Sequence, residues 1–367
     1  MKKENLITVV LFLIVIFGFG GAFWIKKDRD FSENENRYLA KAPEITMKSV
    51  LDGKFMDRAE DYVSDQFVLR DGFMAAASTL QRAAGKQDIN GVYVGKDGYL
   101  ISKTEERDVD RELFESNIKS VNSFFEKCDI SGKKVMMIIP TASLVLEDRL
   151  PANAPEFDQT EAISQICEGI SRGTVIDVTD CLMADEAQTY YKTDHHWTTY
   201  GAYDGYRRYC ELYGRSVGDS SKNWITVTED FRGSLYSKVL LPGCEYDDIV
   251  AVPEPSCSVI CDGMPGNLYH YEALSTKDKY NFFLGGNYGK VEIKGNGTGN
   301  LLVIKDSFAN CFVPFLIDDY AEITMIDLRY YMGSPKALLD GKSITDVLVL
   351  YNISNFREDE NIIKLGL

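Results

Sequence analysis

Along the chain the apolar and polar positions change period several times, and each change predicts an element. Leu6 to Ile25 is apolar throughout, about 20 residues without a charge. At roughly 1.5 Å of rise per residue, a helix of that length spans about 30 Å, the thickness of bilayer hydrocarbon. No polar face interrupts it, so it does not read as a buried core helix. Residues 28–46 are polar and too charged to pack, and predict a linker. From 47 to 85 the apolar positions recur at helical spacing. Asn90-Gly91 and the stretch VYVGKDGYLI after it predict a strand, a Lys-Asp-Gly turn and a second strand. Residues 108–128 place Leu113, Ile118, Val121 and Phe125 at the spacing of one helical face.

The pattern then changes character. The runs KKVMMIIP (133–140), GTVIDV (173–178), LLVIKDSF (301–308), YAEITMID (320–327) and DVLVLYN (346–352) are apolar without alternation. Strands buried on both faces of a sheet read that way. Helical lengths separate them: one near 159–172, another from Thr198 to Tyr213. The second carries Ala202, Tyr206, Cys210 and Tyr213 on one stripe, with Gly214 closing it. Residues 215–300 are glycine-rich and irregular, and predict a β-rich insertion. Alternating strands and helices predict an α/β fold, a three-layer domain over 47–367. An N-terminal membrane anchor or signal (1–27) and the linker (28–46) precede it.

Composition adds compartment and ligand class. With 367 residues, 45% hydrophobic and 26% charged, the chain has the make-up of a folded protein. Its net charge of −16 argues against nucleic acid or an anionic lipid surface as partner of the main body. Lys2 and Lys3 precede the apolar run and Lys26, Lys27 and Arg29 follow it, so flanking charge does not set its orientation. The run exceeds a signal-peptide core, although Gly20-Gly21-Ala22 leaves cleavage open. An uncleaved signal anchor with an extracytoplasmic body is the expectation, or a secreted body if the segment is cut. Eight cysteines form no CxxC pattern. An exported body permits disulfides, and Cys244, Cys257 and Cys261 are the place for one; otherwise the cysteines are buried thiols.

The chemistry concentrates in two segments. Only three histidines occur, and two of them adjoin in TDHHWTTY (193–200). Ser307 stands where a buried strand gives way to a helix, outside the carboxyl end of the strand, where open α/β sheets place ligands. Backbone N–H groups at such a helix start can stabilise an oxyanion, although from this segment alone Ser307 reads first as the cap of that helix. A serine hydroxyl becomes nucleophilic when a base takes its proton and a carboxylate orients that base. Asp194 two residues before His196 can do so within one loop. Asp194, His195 and His196 could instead ligate a metal. The remaining histidine, His270, stands alone, and no HExxH motif occurs.

TDHHWTTYGA resembles the signature of the DHHW family, extracytoplasmic bacterial proteins related to the alginate O-acetyltransferase group of SGNH-hydrolase-like proteins. The segments SENENRYLAKAP, DQFVLRD (65–71), NGVYVGKDGYLI, FFLGGN (282–287), VIKDSF and IDLRYY (326–331) fit the same group, over roughly 32–352. The resemblance implies an SGNH-like fold and a triad of Asp194, His196 and Ser307, with His196 on the second position of Asp-x-His. Lys305 departs from the pattern, since glycine is common two residues before the serine. Gly286 and Asn287 become candidate oxyanion donors, and Trp197 and Arg329 candidate substrate contacts; Cys311 reads as core. The implied activity is O-acetyl transfer to a cell-envelope or secreted polysaccharide, without a cofactor, from a membrane-bound O-acyltransferase as acetyl donor. A carbohydrate esterase with the same triad and a non-catalytic envelope-binding or assembly protein are the alternatives.

Overall fold

A computed structural model describes residues 3–367 except 33, 36, 186, 187, 216, 218–222 and 342. The chain forms two compact units: residues 1–86 with 237–243, and residues 87–236 with 244–367.

The first unit holds the helix Lys3–Ile25, in which Leu6–Ile25 has a mean hydropathy of 2.7 and is long and apolar enough to cross a membrane. Helices Met47–Leu51, Lys54–Gln66 and Arg70–Ala83 follow. They cluster with this unit, so the main body begins near 87 and not at the expected 47. The stretch 28–46 is not a loose linker either. Buried Asp65 accepts from the Arg37 guanidinium at 2.8 and 2.5 Å and from the Ala40 N–H at 2.8 Å. The Gln66 amide bonds both the N–H and the carbonyl of Arg29. Charge alone predicted a solvated segment; two polar side chains at the end of one helix hold it in place.

The second unit is built on eight strands: β1 (Lys134–Ile139), β2 (Thr174–Asp177), β3 (Ser258–Cys261), β4 (Met264–Gly266), β5 (Lys290–Lys294), β6 (Asn300–Lys305), β7 (Glu322–Ile326) and β8 (Asp346–Asn352). Their order is β4-β3-β5-β7-β6-β8-β1-β2. The five strands from β7 to β2 are parallel, and β5, β3 and β4 continue the sheet antiparallel. Side chains alternate between two cores. Val135, Met137, Leu301, Val303, Leu348 and Leu350 face one; Met136, Ile138, Leu302, Ile304, Val347 and Val349 face the other. Helix Thr199–Leu212 covers the first face through Ala202 and Tyr209. Helices Arg111–Lys127 and Gln159–Gly169 cover the second. This is the three-layer α/β architecture that the apolar runs predict.

The expected insertion over 215–300 is only partly separate. Ile225–Phe231 pairs with Asp247–Ala251 as a two-stranded ribbon, but β3, β4 and β5 belong to the main sheet. β3 and β5 alternate buried and more exposed positions, with Val259, Cys261, Val291 and Ile293 inward. Such period-two strands give a weaker signal than the continuous runs of the parallel core. All eight cysteines are free thiols, so the suggested bond among Cys244, Cys257 and Cys261 is not formed. Cys261 turns into the core, where its Sγ fills the space a Cβ on Gly266 would need.

Candidate active site

Ser307 follows β6 at its carboxyl end, and a short helix, Ala309–Phe312, starts two residues later. Asp306 caps that turn: its Oδ1 accepts from the Phe308 N–H at 2.9 Å. Its Oδ2 accepts from the Asn352 N–H and the Asn355 amide, each at 2.8 Å, at the end of neighbouring β8. Ser307 is therefore released from the capping role, and its Oγ meets His196 Nε2 at 2.7 Å.

His196 sits in a narrow loop bounded by the Tyr190–Trp197 bridge, with the Thr198 N–H bonded to the Thr189 carbonyl at 2.9 Å. Two contacts place this loop over the sheet. The Tyr190 hydroxyl donates to the Pro140 carbonyl just past β1, at 2.6 Å. Buried Asp247 accepts from the Lys192 N–H (2.7 Å), the Thr193 N–H (2.8 Å), the Thr193 hydroxyl (2.5 Å) and the Gln188 amide (3.0 Å). Thr198 then caps helix Thr199–Leu212 through its hydroxyl.

Asp194 Oδ1 accepts from His196 Nδ1 at 2.6 Å and from the His196 N–H at 3.0 Å, while Oδ2 accepts from the Ser234 N–H at 2.7 Å. Burial pushes this carboxyl up, but the His195 and His196 imidazoles and the hydrogen bonds outweigh it and hold it well below the usual carboxylate range. Asp194 is thus an anion that only accepts, so the Nδ1 proton of His196 faces it and Nε2 is left to accept from Ser307 Oγ. The imidazole lies flat on Tyr280, centroids 3.9 Å apart at 9°, and the Tyr280 hydroxyl donates to the Ser307 carbonyl at 3.2 Å. His195 is more exposed; its ring packs on His196 at 3.9 Å and its Nδ1 bonds Ser234 Oγ at 2.7 Å.

Gly286 and Asn287 join this cluster through the serine turn. The Lys305 ammonium donates to Asn287 Oδ1 at 2.9 Å and to Asn310 Oδ1 at 2.8 Å. The Asn310 amide reaches the Gly286 carbonyl at 3.5 Å. Among the described residues, the N–H groups of Ser307, Gly286 and Asn287 and the Asn287 Nδ2 have no acceptor. Unpaired N–H groups of this kind are the type of donor an oxyanion uses.

One candidate contact is corrected, and the other keeps an internal partner. Trp197 cannot stack on a sugar, because it is wholly buried: its Nε1 donates to the Phe308 carbonyl at 2.9 Å and its ring stacks on Phe312. It wedges the histidine loop against the serine turn instead. Arg329 pairs with Asp327 through Nε at 2.8 Å and Nη2 at 2.6 Å, and its side chain stays partly exposed. Cys311 is core, its thiol pushed up to about 12 by burial, and it accepts from the Tyr280 hydroxyl at 3.3 Å. Asp194, His195 and His196 could offer a metal three ligand atoms within 4.8 Å of one another. Both ring nitrogens of His196 are already engaged, so an ion would have to break the link to Asp194 or Ser307.

Ser234, Asp247, Tyr280 and Asn310 were not legible as site residues. Tyr280 lies just ahead of the FFLGGN segment and Asn310 one helical turn past Ser307, which are the two sequence cues available.

The fold and the histidine motif have known counterparts. The family model described as DHHW protein matches residues 111–326. A crystal structure of a DHHW family protein from Eubacterium siraeum DSM 15702 is 24% identical, over 76% of this chain and 97% of that one, with a TM-score of 0.65. Bacillus cereus PatB1 is 19% identical over 72% of this chain and 97% of its own, with a TM-score of 0.61. A second structure of PatB1 carries a sulfonyl adduct and superposes with a TM-score of 0.60, over 72% of this chain and 96% of that one. No curated protein matches the sequence. With more than half of its length matched by the family model, and the Asp-His-His-Trp element set beside the strand-end serine, the chain belongs to the DHHW family.

Proposed function

We propose that this protein is an extracytoplasmic O-acetyltransferase that modifies a cell-envelope or secreted polysaccharide through an acyl-serine on Ser307. The observation that carries the reading is the unbroken link from buried Asp194 through His196 to Ser307, at 2.6 and 2.7 Å. In the first half-reaction Ser307 Oγ attacks the acetyl carbonyl carbon while His196 Nε2 takes the hydroxyl proton. Asp194 stabilises the imidazolium, and the unpaired donors of Ser307, Gly286 and Asn287 receive the oxyanion. Collapse of the tetrahedral intermediate expels the donor's leaving group, which takes the proton from His196. In the second half-reaction His196 deprotonates a sugar hydroxyl, which attacks the acyl-serine and regenerates Ser307. The acetyl and glycan specificity rests on the family resemblance, as do the membrane-bound O-acyltransferase as donor and the extracytoplasmic location. The apolar N-terminal helix is in keeping with that location.

The test uses the detergent-solubilised full chain with 4-nitrophenyl acetate and, separately, an arylsulfonyl fluoride. Intact mass and peptide mapping should find one acetyl and one sulfonyl adduct on Ser307, neither in Ser307→Ala. In His196→Ala both should form at least about 1000-fold more slowly. An adduct elsewhere, or none on the wild type, overturns the acyl-serine reading. Adding an acceptor glycan separates transferase from esterase, because only a transferase moves the label from Ser307 to the sugar.

A further inference from the structure

Lys305 stands two residues before Ser307, and its surroundings are unusual for a lysine. Its side chain is fully enclosed at the end of β6. Burying an ammonium is costly unless a counter-charge meets it. The nearest carboxylate, Asp327, lies 3.8 Å away and is held more tightly by Arg329 at 2.6 Å. The close partners of Lys305 are two neutral oxygens, Asn287 Oδ1 and Asn310 Oδ1. A methionine would fill the same length without the desolvation cost, so packing alone does not account for a lysine here.

An ammonium has three donors and no acceptor, so it can meet a side-chain amide only at its oxygen. Lys305 thereby turns the oxygen ends of both Asn287 and Asn310 inward, the Asn310 Nδ2 adding a longer bond to Asn287 Oδ1 at 3.4 Å, and leaves the Asn287 Nδ2 as the unpaired end. The loop that bears Asn287 turns through positive φ at Leu284, Gly285 and Gly286 (64°, 76° and 124°), which the two glycines adopt freely and Leu284 does not. Building on the acyl-serine reading, we propose that Lys305 is a positioning residue: its ammonium locks the 284–287 loop and the Asn287 amide so that Nδ2 is presented to the oxyanion.

The same burial gives the device a pH limit. Burial, as the largest influence, brings the Lys305 ammonium down to about 8; Asp327 and Asp306 work against that, and Arg329 with it. Cys261, which also faces it from β3, is pushed up to about 11 by burial and is neutral across this range. Once deprotonated, Lys305 can accept as well as donate and no longer dictates the amide's orientation.

Acetylation of Ser307 by 4-nitrophenyl acetate, in wild type, Lys305→Met, Asn287→Ala and the double variant, tests this. Each single variant should lower the rate of the acylation step about 10- to 100-fold, and the double variant should be no slower than Asn287→Ala alone. Independent, multiplying losses overturn the proposal. The wild-type rate should fall above about pH 8, and Asn287→Ala, which leaves Lys305 in place, should lack that fall; a fall retained in Asn287→Ala counts against it. Crystal structures give a readout free of activity: residues 284–287 should shift in Lys305→Met, and an unchanged loop overturns the assignment. A wild type that acquires no acetyl group sinks the acyl-serine reading instead, while the loop comparison still decides what Lys305 does.

Discussion

At the scale of single residues, the site depends on how little space surrounds Asp194. A Cβ added to Gly233 would lie 2.3 Å from both Asp194 Cβ and Oδ2, so only glycine lets the chain pass beneath that carboxylate. Gly233→Ala is therefore expected to push Asp194 off His196 and slow Ser307 acylation on the order of 100-fold, since displacing a catalytic group by about 1 Å costs that much. Single-turnover acylation checks this, with circular dichroism to confirm the fold; a rate within twofold of wild type would show that Asp194 has room to yield. The adjoining Ser234 gives His195, the first histidine of the motif, a partner. Ser234 donates its N–H to Asp194 and bonds His195 through its hydroxyl, so one residue ties His195 to the carboxylate that orients His196.

At the scale of elements, a loop and a strand end are brought together by contacts from elsewhere in the chain. The histidine loop is fastened by the Asp247 carboxylate, whose four donors come from Gln188, Lys192 and Thr193. Asp247→Ala leaves buried N–H groups without an acceptor, at about 1–3 kcal/mol for each group so stranded. A loss of about 3 kcal/mol in unfolding free energy is expected, measured by urea denaturation, together with slower acylation. If stability is unchanged, the loop's other anchors, among them Tyr190, Trp197 and the Leu235 N–H on the Thr193 carbonyl, hold it without Asp247. The opposite element, the turn after β6, is shaped by Asp306 and not by the serine itself. That division of labour could not be read from the adjacent pair Asp306-Ser307, because either side chain suits a helix start.

For the whole molecule, the exposed apolar helix and the α/β body belong to separate compact units. In a bilayer, Leu6–Ile25 would bury side chains that are otherwise open to water. The full chain is expected to stay with membranes through an alkaline carbonate wash, and a chain lacking residues 1–27 to be released. Release of the full chain would show that the helix is removed or lies outside the bilayer. The body's net negative charge leaves the retention to this helix, since an acidic surface gains nothing from anionic lipid headgroups.

The sequence by itself determined the periodic features: the apolar helix, the five parallel strands as unbroken apolar runs, the helices between them, and the local Asp-x-His pair. Each follows from side chains a few positions apart, where period and sterics act directly. Only the tertiary structure decided the rest. It placed His196 beside Ser307 across 111 residues of chain, slid Tyr280 beneath the imidazole, and turned Asp247 onto the histidine loop. It also joined β3, β4 and β5 to the main sheet and tied residues 28–46 to Asp65 and Gln66. These depend on which buried polar groups find partners once the sheet has closed, and a buried donor or acceptor takes the partner nearest in space, wherever that lies in the chain.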